Sequence, residues 1–462
     1  MACAHAACFV TSRTPSGSAQ DGNFNHYKLC AVMAPCTMAE QLLNLTTDES
    51  RVREFFLARQ PILDREQGLI AYELLFRRAA IGPADVVDDL EATAAVIEHT
   101  AALGLENVIG DVLGFINVDE AVLMSDIIRF LPASKVVLEI LETVKASPVL
   151  IERVRELAAA GYTFALDDVI THSEHLAGLM PFVKIIKIDV TGMAAQLLQD
   201  LSKAFQASGK VLLAEKVETI EEFNACLGLG FSYFQGYYFA RPLVLSGKKL
   251  APSQLTVVQL LSLITADADS ARIEATIKQD ASIGLMLLRL VNTPGAGVAN
   301  RIDSLPQALL VLGSRQLKRW LQILLYAQPG KDRNGTSPLL ALATTRGKLL
   351  ELMADKLVPG QRLVADTAFT VGIMSLMDVL FGQTMASMLS QIVVSDEVKE
   401  ALLHRTGLLG DMLNLATYIE RIDDSRELMA PVLDRLHLSP EELLAMQLSA
   451  FEWSNQLSGS TR

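Results

Sequence analysis

Cysteine is scarce and poorly placed for cross-linking. Four of the five, Cys3, Cys8, Cys30 and Cys36, crowd the start of the chain and leave Cys226 alone in the rest of it. An odd count with a single body cysteine argues against a disulfide framework and fits a reducing compartment. The early cysteines sit in sequence without periodicity, so metal binding is not expected of them. Positive charge is short as well: 40 Lys and Arg against 53 Asp and Glu leave a formal charge of −13. A phosphate-binding surface spread over the whole protein is thereby excluded, and with it a nucleic acid partner. A small phosphorylated ligand held by a few bases and metal ions stays open. No uninterrupted apolar run reaches about 18 residues, so no membrane span is expected. The N-terminus lacks the basic start and long apolar stretch of a secretory signal. The expectation is a soluble, cytoplasmic protein.

What is present is apolar sequence in quantity. Half of the 462 residues are hydrophobic, and at roughly 150 residues per domain the length suits two or three domains. Residues 1–50 show no sustained period and read as a loosely ordered extension. From 51 to 246, β-rich runs alternate with amphipathic helical stretches. The runs are FFLARQPIL, IAYELLF, GFINVD, KVVLEIL, TFALDD, KIIKID, VLLAEKV and YFQGYYFA. Strands joined by helices make a parallel sheet, either a closed barrel or an open doubly wound sheet. Residues 247–462 carry helical periods with almost no β signal and form an all-α bundle whose Leu, Met and Ala stripes are core.

The polar residues select the barrel. Nearly every strand ends in a carboxylate or amide: Glu73, Asn117, Glu139, Asp167 with Asp168, Asp189, Glu215 and Gln235. In a parallel barrel these strand ends converge on the face where barrel enzymes build their sites. Many acids aimed at one mouth repel each other unless cations are present, so the pattern asks for metal. His172 and His175 are read as a solvated loop pair rather than a zinc site.

These strand ends also carry a family resemblance. ELL at Glu73 to Leu75, followed by Arg77, is similar to the Glu-Ala-Leu signature of the EAL domain, and INVD, LEILE, ALDD, KIDV, AEKVET and FQGYYFARP follow in family order. The resemblance implies a (β/α)8 TIM-like barrel that binds cyclic di-GMP and can hydrolyse it with Mg2+ or Mn2+. Carried over by position, it implies Glu73, Asn117, Glu139 and Asp167 as ligands of one metal, and Asp167, Asp168 and Glu215 as ligands of a second. Lys187, with Glu215 and Glu218, would serve the catalytic water. Asp189 would support the shell, while Arg77 and Gln235 would contact substrate. Two departures leave turnover open: DDVITHSEH replaces the glycine-bearing DDFGTG, and Lys216 replaces glycine in AEKVE.

The helical half resembles the HDOD domain, a relative of HD phosphohydrolases, through IKQDASIGLMLLRLVNTPGAGVANRIDSLPQALLVLG with Asn292. Ser375 and Leu376 stand where an HD pair would fall, and only His404 and His437 remain in that half. A hydroxyl and a leucine cannot replace imidazole and carboxylate at a metal, so the resemblance implies a module that binds or transmits. The expected partners are cyclic di-GMP, an unidentified protein at the HDOD half and a second copy of the chain. The competing reading is a catalytically silent EAL-HDOD scaffold acting by protein contacts.

Overall fold

Eight short strands close into a barrel in the order in which they occur along the chain. They are β1 (Phe55–Leu63), β2 (Leu69–Arg78), β3 (Leu113–Val118), β4 (Val136–Ile140), β5 (Thr163–Leu166), β6 (Val183–Asp189), β7 (Val211–Glu215) and β8 (Tyr233–Gln235). The computed structural model describes residues 55–78, 104–167, 169, 178–240, most of 252–326, 337–392 and 394–460. The extension 1–50, the helix expected in EATAAVIEHTAALGL, Asp168, His172 and His175 lie outside the described residues, as does the side chain of Arg77.

One strand departs from the parallel pattern. β2 to β8 are parallel neighbours, but β1 runs antiparallel to both β2 and β8. The cause is local. Asp64 to Gly68 form a tight turn in which Asp64 Oδ1 accepts from the Gly68 N–H at 2.7 Å and Gln67 takes a left-handed φ of 64°. Such a turn joins antiparallel strands directly, whereas a parallel pair needs a long crossover.

Alternation along the strands builds the interior. Ile62, Ala71, Phe115, Val137, Ala165, Ile185 and Leu213 form one buried apolar layer inside the barrel. The residues between them face outward onto helices. The longer helices are α1 (Pro148–Ala159), α2 (Ala195–Ala207) and α3 (Ile220–Gly228) around the barrel. They continue as α4 (Pro252–Thr265), α5 (Ser270–Lys278), α6 (Leu305–Leu324), α7 (Pro338–Leu357), α8 (Arg362–Met374), α9 (Asp396–His404), α10 (Gly407–Glu420), α11 (Ile422–Leu436) and α12 (Pro440–Ser460). In α1 the Ser147 side chain caps the Leu150 N–H and Pro148 occupies the first turn, both start signals. Its Leu150, Val154 and Leu157 then fall on one face and are fully buried, each worth roughly 1.5–3 kcal/mol.

In the helical half, Asn292 joins two described stretches: its amide donates to Leu288 O and Ile302 O, and its Oδ1 accepts from the Ile302 N–H. The stretch Arg362–Phe381 is apolar enough by composition to cross a membrane, yet 67% of it is buried inside the protein. That burial makes it the centre of the helical core.

The two halves share a core. Phe56, Ala58 and Leu75 of the barrel belong to the helical cluster, while Leu444 and Phe451 of α12 belong to the barrel cluster. Gln447 Nε2 donates to Leu57 O at 2.7 Å and Asn455 Nδ2 to Asn107 O at 2.9 Å. Arg59, on the outer face of β1, reaches across this seam. Its guanidinium donates to Val108 O, Asn455 Oδ1 and Thr345 Oγ1 and lies over the Tyr72 and Phe451 rings, at 4.4 and 4.0 Å.

Gly236, just past β8, has φ 144°, and a Cβ there would stand 2.1 Å from Val217 O. Gly236→Ala therefore forces β8 off the β7 turn and lowers stability by about 2–4 kcal/mol; urea unfolding measures this, and a loss under about 1 kcal/mol would contradict the close approach.

Candidate active site at the barrel mouth

Two residues along from each member of the apolar layer, a polar side chain enters the barrel. The set is Gln60, Glu73, Asn117, Glu139, Asp167, Lys187, Glu215 and Gln235, one from each strand or its end. A period of two places all eight on the inward face. Register sets Gln60 opposite Glu73 and Asn117 opposite Glu139, while Glu215 lies opposite Asp189, two residues past Lys187.

Lys187 stands at the centre. Its Nζ is 2.9 Å from Glu139 Oε1, 2.9 Å from Asp167 Oδ1, 2.9 Å from Glu215 Oε1 and 3.3 Å from Glu73 Oε2. Amides fix Glu73 from the sides: Asn117 Nδ2 donates to Oε1 at 3.0 Å, and Gln235 Nε2 donates to Oε2 at 2.6 Å and to Gln60 Oε1 at 2.8 Å. Glu73, Glu139, Lys187 and Gln235 are all buried, with Glu139 at 0% exposure.

Four carboxyl groups thus face one ammonium. Burial alone would lower the Lys187 pKa, but the four acids, Glu139 foremost, drive it well above the ordinary value. Burial pushes Glu139 well up, and the charge of Glu73 adds to the push. Glu215 is raised to about 8, by burial first and the charges of Asp167 and Glu73 after it. Glu73 resists its own burial: the Lys187 charge and the amide donors hold it below its usual value. With its pKa at about 8, Glu215 largely holds its proton at neutral pH, and burial pushes Glu139 in the same direction.

The donor set suits a hard divalent cation, since it is all oxygen with no thiol or imidazole. Glu139 Oε2 and Glu215 Oε2 are buried with no hydrogen-bond donor in the protein, which is acceptor capacity to spare. Among the described residues no three His, Cys, Asp or Glu side chains already form an ion cage; the carboxyl groups converge on the ammonium instead.

Several expected residues lie at the rim. Asp189 Oδ2 pairs with Lys216 Nζ at 2.7 Å, and despite partial burial the Lys216 and Thr191 donors hold its carboxyl low. Lys216 has a left-handed φ of 53°, which explains why glycine is usual at that position. Glu218 is exposed in the turn before α3 and its backbone N–H donates to Glu222. Arg77 lies on β2 four residues past Glu73, and Asp168 is outside the described residues. Gln60 escaped sequence reading because its strand runs the other way, so it enters the mouth ahead of the apolar Ile62.

In the helical half, Ser375 Oγ accepts from Arg346 Nη1 at 3.0 Å, and Arg346 grips Glu420 with two bonds of 2.7 and 2.6 Å. An ion pair thus adjoins Ser375, at the position where the resemblance to HD enzymes would put a metal-binding pair. His404 ends α9 and His437 caps α11.

Lys187→Met would strand four acids, of which Glu73 and Glu139 are buried. The expected cost is about 3–5 kcal/mol near pH 8, measured by urea unfolding. Folded Glu215 titrates near 8 and an unfolded Glu near 4.3, so its stabilisation is full below the lower value and lost as pH rises through the upper. The mutant deficit should accordingly shrink toward pH 5, where the carboxyls accept protons; a deficit independent of pH would contradict the cluster electrostatics.

Comparison with known proteins places these features in a lineage. The EAL domain family matches residues 44–242 and the HDOD domain family residues 250–407. The uncharacterized protein YuxH of Bacillus subtilis is 30% identical over 410 residues, covering 87% of this chain and 98% of the relative. The cyclic di-GMP phosphodiesterase CdgJ of Vibrio cholerae is 31% identical over 375 residues, 80% of this chain and 85% of that one. Among solved structures, the Bacillus subtilis YkuI protein with an EAL domain, in complex with cyclic di-GMP and calcium, is 20% identical with a TM-score of 0.36. It covers 60% of this chain and 74% of its own. A closed barrel with its ring of acids, followed by a helical half matched by the second family, assigns the chain to the EAL-HDOD family of two-domain proteins.

Proposed function

We propose that the barrel binds cyclic di-GMP and hydrolyses it to the linear dinucleotide with a divalent metal, Mg2+ or Mn2+, and that residues 247–462 act as its partner-binding or output module. The observation that carries the reading is the convergence of Glu73, Glu139, Asp167 and Glu215 on the Lys187 ammonium, with Asn117 bonded to Glu73. Likeness to CdgJ over both domains supports the substrate class.

In this reading Glu73, Asn117, Glu139 and Asp167 present oxygens to the metal, with Asp168 and Glu215 adding more. The metal, when bound, supplies charge stabilisation at the phosphate and an activated water. Asn117 and Gln235 hold the Glu73 carboxylate in one orientation, and Gln60 holds Gln235 in turn. Lys187, protonated throughout the neutral range, keeps the acids in register and orients the water. Arg77, beyond Glu73 on β2, grips a phosphate of the ligand, for which its planar fork is suited. A second reading, a receptor that binds without turnover, is favoured by Lys216 in a left-handed position at the mouth.

Purified protein with cyclic di-GMP and Mn2+ should form the linear dinucleotide. Glu73→Ala or Asp167→Ala should cut turnover by more than the roughly 10- to 100-fold typical of losing an outer-shell partner. Binding without product selects the receptor; neither binding nor product selects the scaffold. Metal uptake carries its own signature: Mn2+ titrated at pH 7 should release a proton from Glu215. The calorimetric heat should then vary with the buffer's ionisation enthalpy, and the release should decline as pH passes 8 and Glu215 is already ionised. A buffer-independent heat at pH 7 would remove Glu215 from the metal site.

A further inference from the structure

We infer that the helical half sets the geometry of the barrel's acid cluster through two tethers, which makes Arg59 and Tyr237 positioning residues for the mouth; the inference rests on the cyclic di-GMP reading above. Both tethers adjoin the glutamine pair that orients Glu73. Gln235 donates to Glu73 and to Gln60. Tyr237 follows Gln235 by two residues, and Arg59 precedes Gln60 by one.

The first tether is a chain of polar contacts, half-buried at Tyr237 and Glu420 and buried at Arg346 and Ser375. Tyr237 OH donates to Glu420 Oε2 at 3.2 Å, Glu420 is held by the Arg346 fork, and Arg346 reaches Ser375. Arg421 lies 4.4 Å over the Tyr237 ring. Between Gln235 and Tyr237 the backbone has no slack. Gln235 O accepts from the Val217 N–H, Val217 O accepts from the Tyr238 N–H, and Gly236 lies too close to Val217 for any side chain. A displacement of Tyr237 is therefore carried to Gln235, and through Val217 to the segment that begins at Glu215.

The second tether is Arg59. It is a buried guanidinium whose described acceptors are the neutral Val108 O, Asn455 Oδ1 and Thr345 Oγ1. A buried cation held by neutral acceptors tolerates little movement of them. The two tethers meet at a seam cavity of about 40 Å3, which Arg59, Tyr72, Thr345, Arg346 and Glu420 line together. Arg59 and Tyr72 face outward on the two strands whose next residues, Gln60 and Glu73, face in. Contacts of the helical half thus end within two residues of three members of the mouth.

The test uses the full chain, with Tyr237→Phe and Glu420→Gln as probes and Arg319→Gln as control. Arg319 pairs with Glu351 inside the helical half. Small misplacements at a reactive site cost up to 10²-fold in rate, so both probes should lower kcat for cyclic di-GMP by about tenfold or more with KM changed less. If the wild type binds without turnover, the Kd for cyclic di-GMP in calcium should weaken by a similar factor. The control should lower Tm at least as much as the probes while leaving kcat and Kd within about twofold. Probes that match the wild type in both constants, or a control that lowers them equally, would overturn the inference while leaving the function standing. A wild type that neither binds nor cleaves cyclic di-GMP would overturn the function, and the tether inference with it.

Discussion

A single ammonium inside a ring of four carboxyl groups sets the terms for everything around it. Lys187 is 1% exposed, and removing that charge from water is costly unless several acids meet it. Four do, but one cation cannot neutralise four anions. The excess is handled locally: burial pushes Glu139 and Glu215 toward the neutral acid, and amide donors steady the Glu73 carboxylate. The same cluster leaves Glu139 Oε2 and Glu215 Oε2 without a donor in the protein.

The ring was largely legible in the sequence because β-structure has a period of two. Once an acid or amide is seen two residues beyond a small or apolar inward position on strand after strand, closure brings the polar residues together whatever the intervening helices do. Glu73, Asn117, Glu139, Asp167, Glu215 and Gln235 were visible in this way; on β6 the pattern pointed to Asp189, and Lys187 came from the family resemblance alone. Gln60 was not, because the reading assumed one direction for every strand. The signal existed: DREQG is a five-residue turn between two apolar runs, the mark of a hairpin, and a hairpin reverses β1. Glu218 was carried over by motif alone, and the structure leaves it exposed at the rim.

What the sequence could not show is contact between residues far apart in it. Tyr237 and Glu420 are 183 positions apart, Arg59 and Asn455 are 396. No local pattern links either pair. Even an isolated reading of Arg59 misleads, since an arginine in an apolar strand suggests an exposed edge. Its burial depends on α12, which supplies Phe451 and Asn455 from the other end of the chain.

Ser375 shows how a polar group inside the helical half joins a contact between the halves. Buried among apolar side chains, it and its neighbours have to satisfy their polar groups. Arg346 and Glu420 do so with two short charge-assisted bonds, and the leftover donor of Arg346 finds the Ser375 hydroxyl. A buried pair of this kind adds little net stability over apolar packing, but breaking it by removing one partner is expensive. It therefore fixes position better than it adds strength. Glu420 held in that manner offers a fixed oxygen to the barrel, and Tyr237 takes it.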